Sequence, residues 1–70
     1  MNAIEKLKYL NGELHIPFKV LAPYCKCHAA SLSNYVKRKY KPTEKMLALI
    51  AGGLDDFVKE VAEKMKDDID

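Results

Sequence analysis

Seventy residues, 12 of them basic and 10 acidic, make one small domain with no room for a second core or a deeply walled catalytic cleft. A hydrophobic content of 49% argues against wholesale disorder, no apolar run approaches the roughly 20 residues a membrane span needs, and the mixed-charge N-terminus does not read as a signal peptide. The net charge of +2 hides a polarity: residues 1–13 are neutral, Leu14 to Pro42 carries Lys19, Lys26, Lys37, Arg38, Lys39 and Lys41 with no acid, and from Thr43 onward eight acids face four lysines.

No segment alternates apolar and polar residues long enough for a strand, and no hairpin dipeptide appears. Helical spacing recurs instead, so the expectation is an all-α domain of five short helices. The first carries Ile4, Leu7 and Leu10 on one stripe, with Asn2 as N-cap, Glu5 completing a capping box, and Gly12 as its end. Pro17 opens the second, where a missing N–H costs little, and Val20, Leu21 and Tyr24 share its face. After a break at Cys25-Lys26-Cys27, the third resumes with Leu32, Tyr35 and Val36, and Pro42 stops it. Thr43 caps the fourth, Glu44 to Ala51, which bears Met46, Leu47, Leu49 and Ile50, and Gly52-Gly53 closes it. The fifth starts at Leu54 or Asp55 and runs to Met65 with the stripe Leu54, Phe57, Val58, Val61, Ala62 and Met65. Asp55 and Asp56 near its start suit the helix dipole. The acidic tail Lys66-Asp67-Asp68-Ile69-Asp70 is expected to fray.

Two cysteines separated by one residue cannot close an ordinary long-loop disulfide, and they point to a reducing, cytoplasmic setting. Together with His15 and His28 they raise the question of zinc. Zinc sites use C-x₂₋₄-C spacing and a second ligand pair, and neither is present. Cys25 and Cys27 therefore read as buried thiols and His15 as a loop residue. A Cys–His nucleophile lacks a third, orienting group. Tyr24 and Tyr35 read as core residues, Tyr9 is open, and Tyr40 beside its lysines is the better phosphate contact. No metal, cofactor or enzymatic reaction is expected.

Leu21-Ala22, Cys25, Cys27, Leu32-Ser33-Asn34-Tyr35 and the downstream Lys39-Tyr40-Lys41-Pro42-Thr43 follow a pattern with a physical basis. A small residue, Ala22, lets two steeply crossed helices approach, and the apolar positions around it lock them. On these residues the stretch Phe18 to Lys37 resembles the helix-turn-helix of the lambda-repressor and Cro-like family. The resemblance covers about residues 4–54 and is strongest from Leu32 to Leu54. The chain departs from the pattern at Lys26, where the family has a turn glycine, at Pro23 inside the first helix of the pair, and at His28, which replaces the usual Ser or Thr cap.

The resemblance implies a compact five-helix, lambda-repressor-like domain that inserts a recognition helix, Ala29 to about Lys39, into the major groove of duplex DNA. Ala29, Ala30, Ser33 and Asn34 would face the bases, with Asn34 suited to a bidentate pair with adenine and the alanines to thymine methyls. Lys19, Lys37, Arg38, Lys39, Tyr40 and Lys41 would contact phosphates. The protein would then be a cytoplasmic, Cro-like repressor of bacterial or phage origin, acting as a homodimer through the last helix, about residues 54–66. The alternative is a phage antirepressor or modulator that uses the same fold to bind a partner repressor protein. A helix-turn-helix that serves only as a structural corner, with the basic stretch as a plain solvated surface, is the bland counterpart of both.

Overall fold

Asn2 sits in extended backbone and its side-chain oxygen accepts the Glu5 N–H at 2.9 Å, while its amide donates to Glu5 Oε1 at 3.4 Å. That cap opens α1, Ala3–Lys8. The computed structural model describes residues 2–69 in backbone and residues 2–66 in side chains. Its other elements are a π-helical turn, Tyr9–Glu13, then α2, Phe18–Cys25, α3, Ala29–Val36, and α4, Glu44–Ile69. Among the described residues there is no strand, as the absence of alternating patterns requires.

Among the described residues there are four α-helices and not five. Gly12, expected to end the first helix, lies inside the π turn. The turn closes widely: Leu14 N–H donates to Tyr9 O at 3.3 Å and Ile16 N–H to Leu10 O at 3.1 Å. A π turn admits one extra residue per turn. Here it keeps Leu10 buried beside Leu7 and leaves Tyr9 and Leu14 at the surface.

Pro17 is the N-cap of α2 and not its first helical residue. Pro23 does lie inside α2. It falls in the last turn of an eight-residue helix, so few backbone bonds are exposed to its missing N–H. Leu21, Ala22 and Cys25 are buried on the inner face, whereas Val20, expected to share that face, is 40% exposed.

The expected break at Gly52-Gly53 does not occur, and α4 runs straight through both glycines. Ile50, Leu54 and Phe57 hold one helical phase across them and are all buried. The reason for a glycine here is packing. A methyl built on Gly53 would lie 2.6 Å from the carbonyl carbon of Tyr24 and 2.7 Å from the amide nitrogen of Cys25, and would press on the Tyr24 carbonyl oxygen. Without a side chain, α4 lets the end of α2 lie directly on its backbone. Gly52 meets nothing within 4 Å. Because the helix is continuous, Asp55 and Asp56 are mid-helix residues rather than dipole partners of an N-terminus, and Asp55 pairs instead with Lys6 of α1 at 3.2 Å.

The core is one cluster: Leu7, Leu10, Leu21, Ala22, Cys25, Leu32, Ile50, Leu54 and Phe57. α4 packs on α2 and α1, and α3 packs on α2 and α1. Thr43 caps α4 as expected, its hydroxyl accepting the Met46 N–H at 3.1 Å. At 1.5 Å per residue, 26 residues span about 39 Å, close to the longest molecular extent of 43 Å, while the other two extents are 22 Å. The second half of α4 therefore projects beyond the body, and no side chain from Val58 to Lys66 is buried. Tyr24 ties its base: the ring meets Phe57 edge-on at 5.3 Å, and the hydroxyl donates to Glu60 Oε2 at 2.6 Å. That bond, then burial and the Glu60 charge, raise the tyrosine pKa. The backbone of α4 stays helical to Ile69. The side chains of residues 67–70 and the backbone of Asp70, where fraying was expected, lie outside the described residues.

Candidate nucleic-acid interface

The corner between α2 and α3 is built on a left-handed residue. Lys26 has φ 56° and ψ 41°. Lys26 N–H donates to Pro23 O at 3.4 Å and Cys27 N–H to Ala22 O at 3.3 Å, which is the Schellman closure of a helix end. The same closure ends α3. Arg38, with φ 62°, donates its N–H to Tyr35 O at 3.2 Å, and Lys39 N–H reaches Asn34 O at 2.9 Å. His15 after the π turn is the third residue of this kind. All three positions favour glycine, and all three carry a basic side chain, which the negative end of a helix attracts.

α3 consequently stops at Val36, three residues short of the expected Lys39. Lys37, Arg38 and Lys39 lie on the turn that follows it.

Along α3, Leu32 is buried and Ala29, Tyr35 and Val36 pack in part against the core. Ala30, Ser33, Asn34 and Lys37 recur at i, i+3, i+4 and i+7, the stripe opposite Leu32. Ala30 and Lys37 are exposed, and Ser33, Asn34 and the flanking Ser31 are half-exposed. Ala29 is the exception in the expected base-facing set, since its methyl leans toward the core. Among the described residues no intramolecular hydrogen bond engages the side chains of Ser31, Ser33 or Asn34. The Asn34 amide therefore has its donor and acceptor available on a convex face. His28 is the N-cap of α3 but makes no side-chain cap bond, so the first amides of the helix are left for an outside acceptor.

Exposed cations precede and follow α3 along the chain. Lys19, Lys26, Lys37, Arg38, Lys39 and Lys41 are all exposed. Among the described residues the ion pairs are Lys6–Asp55 and Lys64–Glu60, and none of the six takes part in one. Arg38, Tyr40 and Lys41 border a cleft of about 280 Å³ floored by Ile4, Tyr35 and Pro42. Tyr40 is 64% exposed. On the other side of α3, Lys26, His28 and Ser31 border a second hollow with Cys27 and Met46. Lys26 and His28 are additions to the expected contact residues. Their signal in the sequence was the same acid-free run, but their placement at the entry of α3 depends on the left-handed corner.

Both cysteines sit in environments that favour the neutral thiol. Cys25 is fully buried, its thiol donates to Ile50 O at 3.8 Å, and burial, helped by the neighbouring Cys27, pushes its pKa up to about 11. Cys27 is half-buried rather than buried as expected, and burial raises its pKa too. Thiolate is the reactive form, and both environments disfavour it. Among the described residues no three His, Cys, Asp or Glu side chains are grouped to hold a metal ion, and no helix is long and apolar enough to cross a membrane. Tyr24 and Tyr35 are half-buried against the core, as expected, and Tyr9 is exposed.

The chain matches no protein-family model, no curated protein and no solved structure.

Proposed function

We propose that the protein binds duplex DNA sequence-specifically, with α2 and α3 acting as a lambda-repressor-like helix-turn-helix and α3 entering the major groove. The observation that carries this reading is the outer face of α3: a short stripe with an unengaged amide at its centre, in a stretch of chain with six exposed cations, none of which is in an ion pair among the described residues. Duplex DNA rewards that arrangement in two ways. Its phosphates attract the cations regardless of sequence, with release of counterions. Its base edges offer the hydrogen-bonding pattern that a side-chain amide can read.

In this docking, Asn34 pairs with an adenine through N6 and N7, Ser33 bonds a neighbouring base, and Ala30 touches a thymine methyl. Lys37, Arg38, Lys39, Tyr40 and Lys41 hold the phosphates at one end of α3. Lys26 and Lys19 hold those at its entry, together with the uncapped amides of α3. One α3 reads only a few base pairs, so a useful site requires two copies about one helical turn apart, ~34 Å. The activity that follows is occupancy of an operator, as a Cro-like repressor.

The test is selection of bound duplexes from a random pool, followed by binding titrations across salt. An enriched two-fold motif is expected, with log affinity falling by about 0.9 per decade of salt for each phosphate contacted. Asn34→Ala should relax preference at one base pair by roughly 1–3 kcal/mol of discrimination. Lys39→Ala should weaken all sequences alike and lower the salt slope by about 1. No enrichment at low salt would overturn the proposal and favour a modulator that binds another repressor.

A further inference from the structure

Where α3 ends, the chain gathers two cations and two phenols round one cleft. The left-handed closure at Arg38 brings Tyr35, Arg38, Tyr40, Lys41 and Pro42 together with Ile4 of α1 as the border of a cleft of about 280 Å³. That size lies near the lower end for small-molecule sites, roughly 300–1,000 Å³. Ile4, Tyr35 and Pro42 are half-buried and give it an apolar floor, while Arg38, Tyr40 and Lys41 are exposed at its edge. No carboxylate borders it. Among the described residues neither cation is in an ion pair, and neither phenol hydroxyl is in a hydrogen bond. Glycine is the unstrained residue at a left-handed position, yet the chain carries a guanidinium there, at φ 62°.

We propose that this cleft binds a single unpaired nucleotide, its base against the tyrosine rings and its phosphate on Arg38 and Lys41. Each part of such a ligand has a counterpart. The phosphate carries about two negative charges at neutral pH. A guanidinium grips it through two parallel hydrogen bonds, and Lys41 adds a second positive charge. The base presents a planar face that stacks on aromatic side chains whatever its identity. Tyr40, 64% exposed, offers its ring for that contact. The unengaged hydroxyls of Tyr35 and Tyr40 can bond the ring nitrogens and carbonyls of a base. A phosphorylated tyrosine side chain has a phosphate and a ring but no edge for those hydroxyls, so the nucleotide fits better. Two sources share this chemistry: a free mononucleotide and an unpaired nucleotide of a strand.

The site does not rest on the duplex reading, because nothing in it needs a second strand or the outer face of α3. Only one consequence draws on that reading. Arg38, Tyr40 and Lys41 are the side chains assigned above to duplex phosphates, so a nucleotide in the cleft competes with duplex, and duplex binding responds to nucleotide concentration.

Calorimetric titration of the full chain with adenosine 5′-monophosphate, with amide shifts followed by NMR, tests the proposal. One-to-one binding with a dissociation constant on the order of 100 µM is expected for so open a cleft, with shifts centred on Ile4 and residues 35–42. Adenosine and inorganic phosphate should each bind about tenfold more weakly or worse. Arg38→Gly should lower affinity for the monophosphate by about tenfold or more while the fold holds, since glycine suits the left-handed position. Tyr40→Ala should lower it by about fivefold or more. Lys59→Ala, at an exposed position on α4, should leave it unchanged. A single strand of about five nucleotides separates the two sources. Binding about tenfold tighter than the monophosphate, with the same dependence on Arg38 and Tyr40, makes the strand the ligand; binding no tighter makes it the free nucleotide. No binding of either probe at millimolar concentration overturns the proposal. So does binding that survives both variants, or O-phosphotyrosine binding as tightly as the monophosphate. Duplex enrichment without binding of either probe refutes this site alone. Binding of the monophosphate without duplex enrichment refutes the duplex reading alone.

Discussion

Gly52 and Gly53 are adjacent in one helix, yet alanine should act on them in opposite directions. At Gly52 the new methyl meets nothing within 4 Å, so only helix propensity counts. Alanine is better than glycine by about 0.8–1 kcal/mol in a helix interior. For a domain of this size that raises Tm by roughly 4–8 °C. At Gly53 the same gain is opposed by the backbone of α2. The methyl would sit 2.6–2.7 Å from Tyr24 and Cys25 backbone atoms, against an optimal separation of about 3.5–4.0 Å between such atoms. These are main-chain atoms, so no rotamer relieves the contact. The end of α2 must lift by about 1 Å, loosening Leu21 and Cys25 against Ile50 and Leu54. Overpacking of this kind costs about 1–3 kcal/mol and sometimes more. Subtracting the propensity gain leaves a net loss of about 1 kcal/mol for Gly53→Ala, or a Tm lower by roughly 4–8 °C. Thermal and urea unfolding followed by far-ultraviolet circular dichroism measures both variants. If Gly52→Ala destabilised the protein, or Gly53→Ala matched the wild type, α4 would not be the continuous, closely crossed helix on which this reasoning depends.

Lys26→Gly should raise Tm by about 4–8 °C, because a non-glycine residue in the left-handed region costs about 1 kcal/mol or more; the same variant should bind duplex more weakly, and an unchanged or lower Tm would argue against the Schellman corner. Stability should fall in alkali as Cys25 titrates. Its thiol ionises near 9 when unfolded and at about 11 when folded, so the folded chain holds that proton more tightly. The stabilisation is complete below pH 9 and is lost as pH rises to 11, by roughly 2–3 kcal/mol. Urea unfolding at pH 8 and pH 11 should show that extra loss in the wild type and not in Cys25→Ala, and parallel profiles would refute it.

Much of the fold was legible because it rests on local chemistry. Asn2 and Thr43 cap helices as their hydroxyl or amide chemistry suggests, and Leu7, Leu21, Leu32, Ile50 and Leu54 declare themselves as core by spacing. The misreadings at Gly12 and at Gly52-Gly53 share one cause. Glycine and proline carry local preferences, and neighbours far along the chain overrode them. Gly12 entered a π turn that keeps Leu10 inside. Gly53 served close approach rather than a turn. The candidate site shows the same division. The acid-free run and the small polar stripe of α3 are visible as letters. The end of α3 at Val36, the place of Lys37 to Lys39 on the turn that follows, and the place of Lys26 and His28 just before α3 depend on two left-handed closures.

The amino-acid order alone determined an all-helical chain, the separation of its charge into a basic middle and an acidic end, and the face of α3 that points away from the core. Periodicity and charge are properties of a single segment, and they are decided before anything packs. Tertiary structure decided that the last two apparent helices are one, because only the backbone of α2 lying against Gly53 explains that glycine inside a helix. It also decided that half of α4 stands clear of the body with an apolar stripe uncovered, since whether a stripe is buried depends on what else reaches it.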